Sequence, residues 1–212
     1  MPSSLKIPDA IASRSSYKKK FTYLDLYRTW VLLPVAISRF VANKKHQWVS
    51  SQFLERLQLA VTEVNACPAC SYAHTYLALK EGLSAEEINS FLSGDGKWVK
   101  PEEAKALMFA QHFAEYGGCP GEDAIEVLEA EYGKKEADIM ISAVQLMLAG
   151  NIFGLPYSAF QSRLKGKPYQ GSSVFYELGM QLAAFLVVPI AFLHGGLRRL
   201  FGLPNRITGK VS

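Results

Sequence analysis

Apolar residues in this chain recur at helical spacing and almost never alternate. Phe53, Leu54, Leu57, Ala60, Val61 and Val64 fall on one face of a helix. Runs of strand-like alternation are scarce and no Asn-Gly dipeptide marks a hairpin. The pattern therefore predicts an all-α fold. Ser84 and Glu87 are placed as a capping box, with Leu83 and Ile88 as its staple, ahead of a helix from about Ala85 to Leu92 that stops near Gly94. Pro101 opens a further helix at its favoured first position, followed by Glu102 and Glu103. An acidic helix is expected from about Asp123 to Tyr132, closed by Gly133. The longest pattern runs from near Lys135 toward Leu164. Gly150, Gly154 and Pro156 interrupt it, which allows a kinked helix or two helices.

The chain has 212 residues, 49% of them hydrophobic, which is ordinary globular composition and enough for a sizeable core. We divide it into an N-terminal helical extension (1–48), a helical core (49–165) and a C-terminal apolar extension (166–212), in one globular unit. The N-terminal extension holds an apolar helix from about Tyr23 to Ala42, with Trp30 and Pro34. The C-terminal extension holds an apolar run from Leu182 to Leu193, shorter than the roughly 20 residues that a bilayer span needs. It reads as a buried or subunit-interface helix, with a membrane-surface or spanning helix as the alternative, to which Arg198 and Arg199 just beyond it would lend themselves.

Net charge is +4, from 23 Lys and Arg against 19 Asp and Glu. The one basic cluster, Lys18 to Lys20, lacks interleaved aromatics and reads as a solvated arm, so no nucleic-acid partner is expected. Met1 to Arg14 lacks the apolar core of a signal peptide. Three cysteines cannot form an even disulfide framework, and two are spaced C-x-x-C. A reducing, cytoplasmic setting is the expectation.

The segment from Asn65 to His74 carries the chemistry. Pro68 has no N–H and a fixed φ, so it suits the first turn of a helix, and it pushes Cys67 away from helical φ/ψ. One helix must then end near Ala66 and another begin at Pro68, with Cys67 at the N-cap and Cys70 in the first turn. Free N–H groups and the positive end of the helix dipole favour thiolate there. The two sulfurs are close enough in sequence for a disulfide. His74 lies four residues beyond Cys70, one turn on along the same face, where an imidazole can carry a proton. Two thiols and a proton carrier at a helix start suit two-electron redox chemistry.

The stretch from Leu54 to His74, with Glu55, Cys67, Cys70 and His74 in the spacing Glu, eleven residues, then C-x-x-C-x-x-x-H, resembles the carboxymuconolactone decarboxylase superfamily. Within it, the likeness is to the alkyl hydroperoxide reductase D-like peroxidase branch. The resemblance implies a helical bundle that assembles as a dimer, trimer or hexamer. It implies a thiol-dependent peroxidase with Cys70 as the attacking thiol, Cys67 as the resolving thiol, and Glu55 with His74 as a proton relay. It implies no cofactor, and as partners a peroxide substrate and an external thiol reductant or redox protein. One position departs from the branch: Ala69 stands where a second histidine lies between the cysteines. The decarboxylase branch proper generally lacks the cysteine pair.

Other readings remain open. The same cysteines would serve a disulfide-reductase adaptor for a partner peroxidase. A non-redox, decarboxylase-like enzyme acting on a small cyclic acid and a helical oligomerisation module are further alternatives. Cys67, Cys70, His74 and Glu55 could offer four zinc ligands, but three would share a turn and a half of one helix, and no metal is assigned. Cys119, in Gly117-Gly118-Cys119-Pro120, reads as a spectator thiol in a turn. His46, His112 and His194 show no partner pattern. Asn151 either lines a pocket or bonds across a helix contact. Tyr72, Tyr76 and Phe160 are read as core packing, or as walls of an apolar pocket.

Overall fold

A 31-residue helix, Lys134–Leu164, forms the axis around which the chain is arranged. In a computed structural model, which describes residues 14–209, eight α-helices follow one another with no β-strand among the described residues. They are α1 (Tyr23–His46), α2 (Ser51–Asn65), α3 (Pro68–Lys80), α4 (Ala85–Ser93), α5 (Ala104–Glu115, after a 3-10 turn Pro101–Glu103), α6 (Glu122–Tyr132), α7 (Lys134–Leu164) and α8 (Val174–Leu200). The all-α expectation holds. Of the segment Met1 to Arg14 read above, residues 1–13 lie outside the described range.

α7 is apolar around most of its circumference, and α1, α2, α3, α5, α6 and α8 all pack on it. Met147, Leu148, Ile152 and Leu155 of α7 meet Leu57, Leu59 and Val61 of α2 and Phe109 and Phe113 of α5 in one core. Neither Gly150, Gly154 nor Pro156 divides α7, so of the two arrangements allowed by sequence the single helix is found. Packing on nearly every side outweighs the one hydrogen bond that Pro156 removes.

The local signals act as their chemistry dictates, with adjustments. Ser84 accepts the Glu87 N–H at the start of α4, and Leu83 and Ile88 are buried as a staple. The Glu87 carboxylate, however, bonds Arg56 of α2 rather than closing the capping box. Gly133, at φ +82°, separates α6 from α7. Thr22 and Asp25 form a reciprocal capping box for α1 that the sequence reading did not pick out.

The two extensions are not appendages. Phe21 and Leu26 from the N-terminal segment and Met180 from α8 lie in the same core as α2 and α7. Arg39 of α1 pairs with Asp138 of α7 at 2.9 Å. The basic cluster is not a free arm either. Lys19 donates to the Ala114 and Glu115 carbonyls at the C-terminal end of α5, where a cation is favoured. Lys20 sits over the Tyr176 ring. At the base of α8, Glu177 is fully buried and receives two hydrogen bonds from Arg163 and one from Ser172. The Arg163 contact holds its carboxyl below the usual range against the opposing push of burial.

Of the readings given for the C-terminal apolar run, burial within the chain does not hold among the described residues. Leu182 to Leu193 belongs to a longer helix whose outer side is open: Leu182, Phe185, Leu186 and Leu193 are all exposed. Within the chain it is not a buried helix.

Candidate active site

α2 ends at Asn65, and Ala66 closes it in the left-handed region at φ 52°, its N–H bonded to the Thr62 carbonyl. Cys67 follows in extended conformation as the N-cap of α3, and Pro68 occupies the first helical turn. The chain break expected at Pro68 is therefore where the structure puts it. Left-handed backbone at a residue with a Cβ is costly and persists where its surroundings hold it. Here the Ala66 methyl is buried.

Cys67 and Cys70 are joined in a disulfide, with their Cα atoms 5.3 Å apart. The Cys67 sulfur accepts the Cys70 N–H at 3.3 Å, so it takes one of the donors that the start of α3 leaves free. A second such donor, the Ala69 N–H, goes to the Ser158 hydroxyl of α7 at 3.2 Å, and that hydroxyl in turn bonds the Gly154 carbonyl. The Gly150 carbonyl lies 3.5 Å from the Cys70 sulfur. Cys67 has no exposed surface, whereas Cys70 retains 8%.

One turn along α3, His74 Nδ1 lies 3.0 Å from Glu55 Oε2 of α2. Sequence spacing alone does not bring these two together, since they sit on different helices. Both are largely buried, at 18% and 10% side-chain exposure. They border a cavity of about 160 Å³ that Asn43, Gln58, Leu77 and Glu81 also line. Bonding through Nδ1 leaves His74 Nε2 as the nitrogen able to exchange a proton with another group. On the far side of the cysteine turn, Pro68 and Ala69 face a second cavity of about 460 Å³, bordered by Tyr157, Ser158, Gln161 and Tyr169.

Residues outside the cysteine motif position this site. Asn65 donates to the Asn151 side chain at 2.9 Å, and Asn151 donates to Thr62, so Asn151 bonds across a helix contact rather than lining a pocket. Ser158 fixes the cysteine turn to α7. Gly154 had read only as a helix interruption. A Cβ built there falls 2.7 Å from the Cys70 sulfur and 2.9 Å from the Cys67 sulfur. Its signal in the sequence is a glycine inside an otherwise strongly apolar helix, which points to a packing reason.

The last observation gives a paired test. Gly150→Ala meets nothing within 4 Å and should stabilise the protein by about 0.5–1 kcal/mol through helix propensity. Gly154→Ala gains the same propensity but overpacks against both sulfurs, which costs about 1–3 kcal/mol. We expect it to destabilise by about 1–2 kcal/mol net, with Gly150→Ala moving the other way in the same denaturant titration. Equal effects at the two glycines would show that α7 does not press on the cysteine turn.

The remaining candidates lie elsewhere. Cys119 is a free thiol in the turn between α5 and α6, and burial pushes its pKa up, which disfavours thiolate. His194 bonds the Tyr27 hydroxyl at 2.8 Å, and His46 stacks on Trp48. Tyr72 and Tyr76 are 69% and 66% exposed, so they neither pack in the core nor wall either cavity. Among the described residues, no group of three or more His, Cys, Asp and Glu side chains is placed to hold a metal ion. No protein-family model, no curated protein and no solved structure matches this chain.

Proposed function

We propose that the protein is a thiol-dependent peroxidase of the alkyl hydroperoxide reductase D-like kind, working through a Cys67–Cys70 dithiol–disulfide cycle. The observation that carries this reading is one disulfide at the start of a helix, one turn from a hydrogen-bonded His74–Glu55 pair. A structural disulfide would need no proton carrier.

The cycle balances as follows. In the reduced state, the Cys70 thiolate attacks the terminal oxygen of a hydroperoxide. The O–O bond breaks, Cys70 becomes a sulfenic acid, and the alkoxide leaves with a proton relayed by His74. Glu55 orients the imidazole and offsets its positive charge. The Cys67 thiolate then attacks the Cys70 sulfur, the S–S bond forms, and hydroxide departs as water after protonation. An external dithiol returns two electrons and two protons. The exposure of Cys70 and the closed setting of Cys67 support giving the first step to Cys70. The Cys67 sulfur already accepts a helix N–H, which favours it as the resolving thiolate.

The test is a thiol count on the reduced wild-type protein before and after one equivalent of cumene hydroperoxide. Rapid loss of two thiols per chain is expected, with Cys119 remaining. Slow loss, together with fast exchange against a disulfide on a partner peroxidase, would reassign the protein as a disulfide-reductase adaptor. Unreactive thiols would remove both redox readings and leave the non-redox, decarboxylase-like alternative.

A further inference from the structure

Helix α8 presents an apolar stripe that none of the described residues covers. Phe175, Leu182, Phe185, Leu186, Leu193 and Leu200 are between 63% and 86% exposed. At 3.6 residues per turn these six side chains fall within an arc of roughly 100° along about 40 Å of helix. A continuous apolar face of this length is more than a soluble monomer ordinarily shows to water. From Leu178 to Leu197 the helix contains no Asp, Glu, Lys or Arg. The opposite side is small and packed: Met180, Ala191 and Gly195 are buried against the body, where Gly195 lets α8 approach Val31 and Pro34 of α1.

The charges at the ends of the stripe discriminate between occupants. Arg199, exposed beside the last leucine of the stripe, marks one end, and Lys20 lies against Tyr176 at the other. The one carboxylate on α8, Glu177, is buried and held by Arg163. A second copy docked through α8 would therefore set Arg199 against Arg199 if parallel, or against Lys20 if antiparallel. Neither arrangement finds an exposed carboxylate on the helix. A surface that is apolar within and anionic at its boundary satisfies both features at once.

We infer that the outer face of α8 docks the protein on a bilayer that carries anionic lipid. The helix lies in the plane of the interface, with its apolar stripe below the headgroups and its inner face on α1 and α7. Arg199 and Lys20 flank the stripe and meet the phosphates. This goes beyond the redox reading and does not depend on it.

The test is co-sedimentation of the full-length protein with phosphatidylcholine vesicles, with and without phosphatidylserine. Wild type is expected to pellet with the mixed vesicles, and to lose that preference at high salt. Leu186→Glu together with Leu193→Glu places charge on two outward positions that support no core. Its melting temperature should hold while vesicle binding falls more than tenfold. Arg199→Gln should weaken binding to the mixed vesicles by about fivefold and leave binding to phosphatidylcholine alone unchanged. The inference is overturned if wild type binds neither vesicle, or if the double glutamate variant binds as wild type does. It is equally overturned if that variant turns a solution dimer into a monomer while vesicle binding is absent throughout, which would assign the stripe to a second copy.

Discussion

Cys70→Ser is expected to abolish peroxide reduction, by on the order of 10⁴-fold or more, because a hydroxyl at neutral pH supplies no anion to attack the O–O bond. Cys67→Ser should behave differently. Serine is itself a favoured N-cap, so α3 should start as before, and Cys70 keeps its place in the first turn. One equivalent of peroxide should then be consumed rapidly with loss of one thiol, leaving a sulfenic acid on Cys70 that a dimedone adduct reports by mass. Turnover stops there, because no neighbouring thiolate can close the disulfide. The asymmetry follows from exposure and placement: Cys70 keeps access to solvent and lies one turn from His74, whereas Cys67 is closed off. A sulfenic acid trapped on Cys67 in the Cys70→Ser variant would reverse the roles. Equal, undiminished activity in both variants would place the chemistry outside the pair.

How much of this site could be read from residues alone depends on how local each determinant is. Pro68 acts on its own neighbours, through a missing N–H and a fixed ring, and so the break between α2 and α3 and the N-cap position of Cys67 were legible. The starts and stops at Ser84, Gly94 and Gly133 were legible for the same reason. The Glu55–His74 contact was not a matter of helical spacing, and only the resemblance pointed to it. Gly154 became meaningful only once α7 was seen to press on the sulfurs. α2 shows the limit of periodicity most plainly. Its apolar face was expected, but Glu55, Arg56, Gln58 and Thr62 are buried as well, because α2 is surrounded by α3, α4, α5 and α7. A polar residue inside a helix reads as solvated until the elements that enclose it are known. For α8 the same apolar pattern admits burial or an interface, and its outer side is open among the described residues. Hydropathy states what a face avoids and says nothing of what covers it.

Arg56 is where that hidden burial carries the greatest energy. Its guanidinium is 2% exposed and donates from Nε and Nη2 to both carboxylate oxygens of Glu103, at 2.7 and 2.9 Å, and from Nη1 to Glu87 at 2.9 Å. Burial alone would lower its pKa, but the Glu103 and Glu87 contacts outweigh burial and raise it, so the group stays charged throughout the working range. These bonds pin α2 to α4 and to the turn ahead of α5, on the helix that also carries Glu55. Arg56→Ala strips both guanidinium hydrogen bonds from the Glu103 carboxylate, itself 6% exposed, and leaves it only the half-exposed Lys100 ammonium at 3.8 Å, a loss that for a buried pair typically costs about 3–5 kcal/mol. That approaches the whole stability of many domains, so the variant should unfold at markedly lower denaturant concentration. Arg56→Met with Glu103→Leu and Glu87→Gln removes both stranded charges along with the cation. It should recover at least about 2 kcal/mol of the loss, since a buried pair replaced by apolar groups is often close to neutral. A loss below about 1 kcal/mol in Arg56→Ala would mean that water reaches Glu103 in the folded chain, and that α2 is held by its apolar contacts alone.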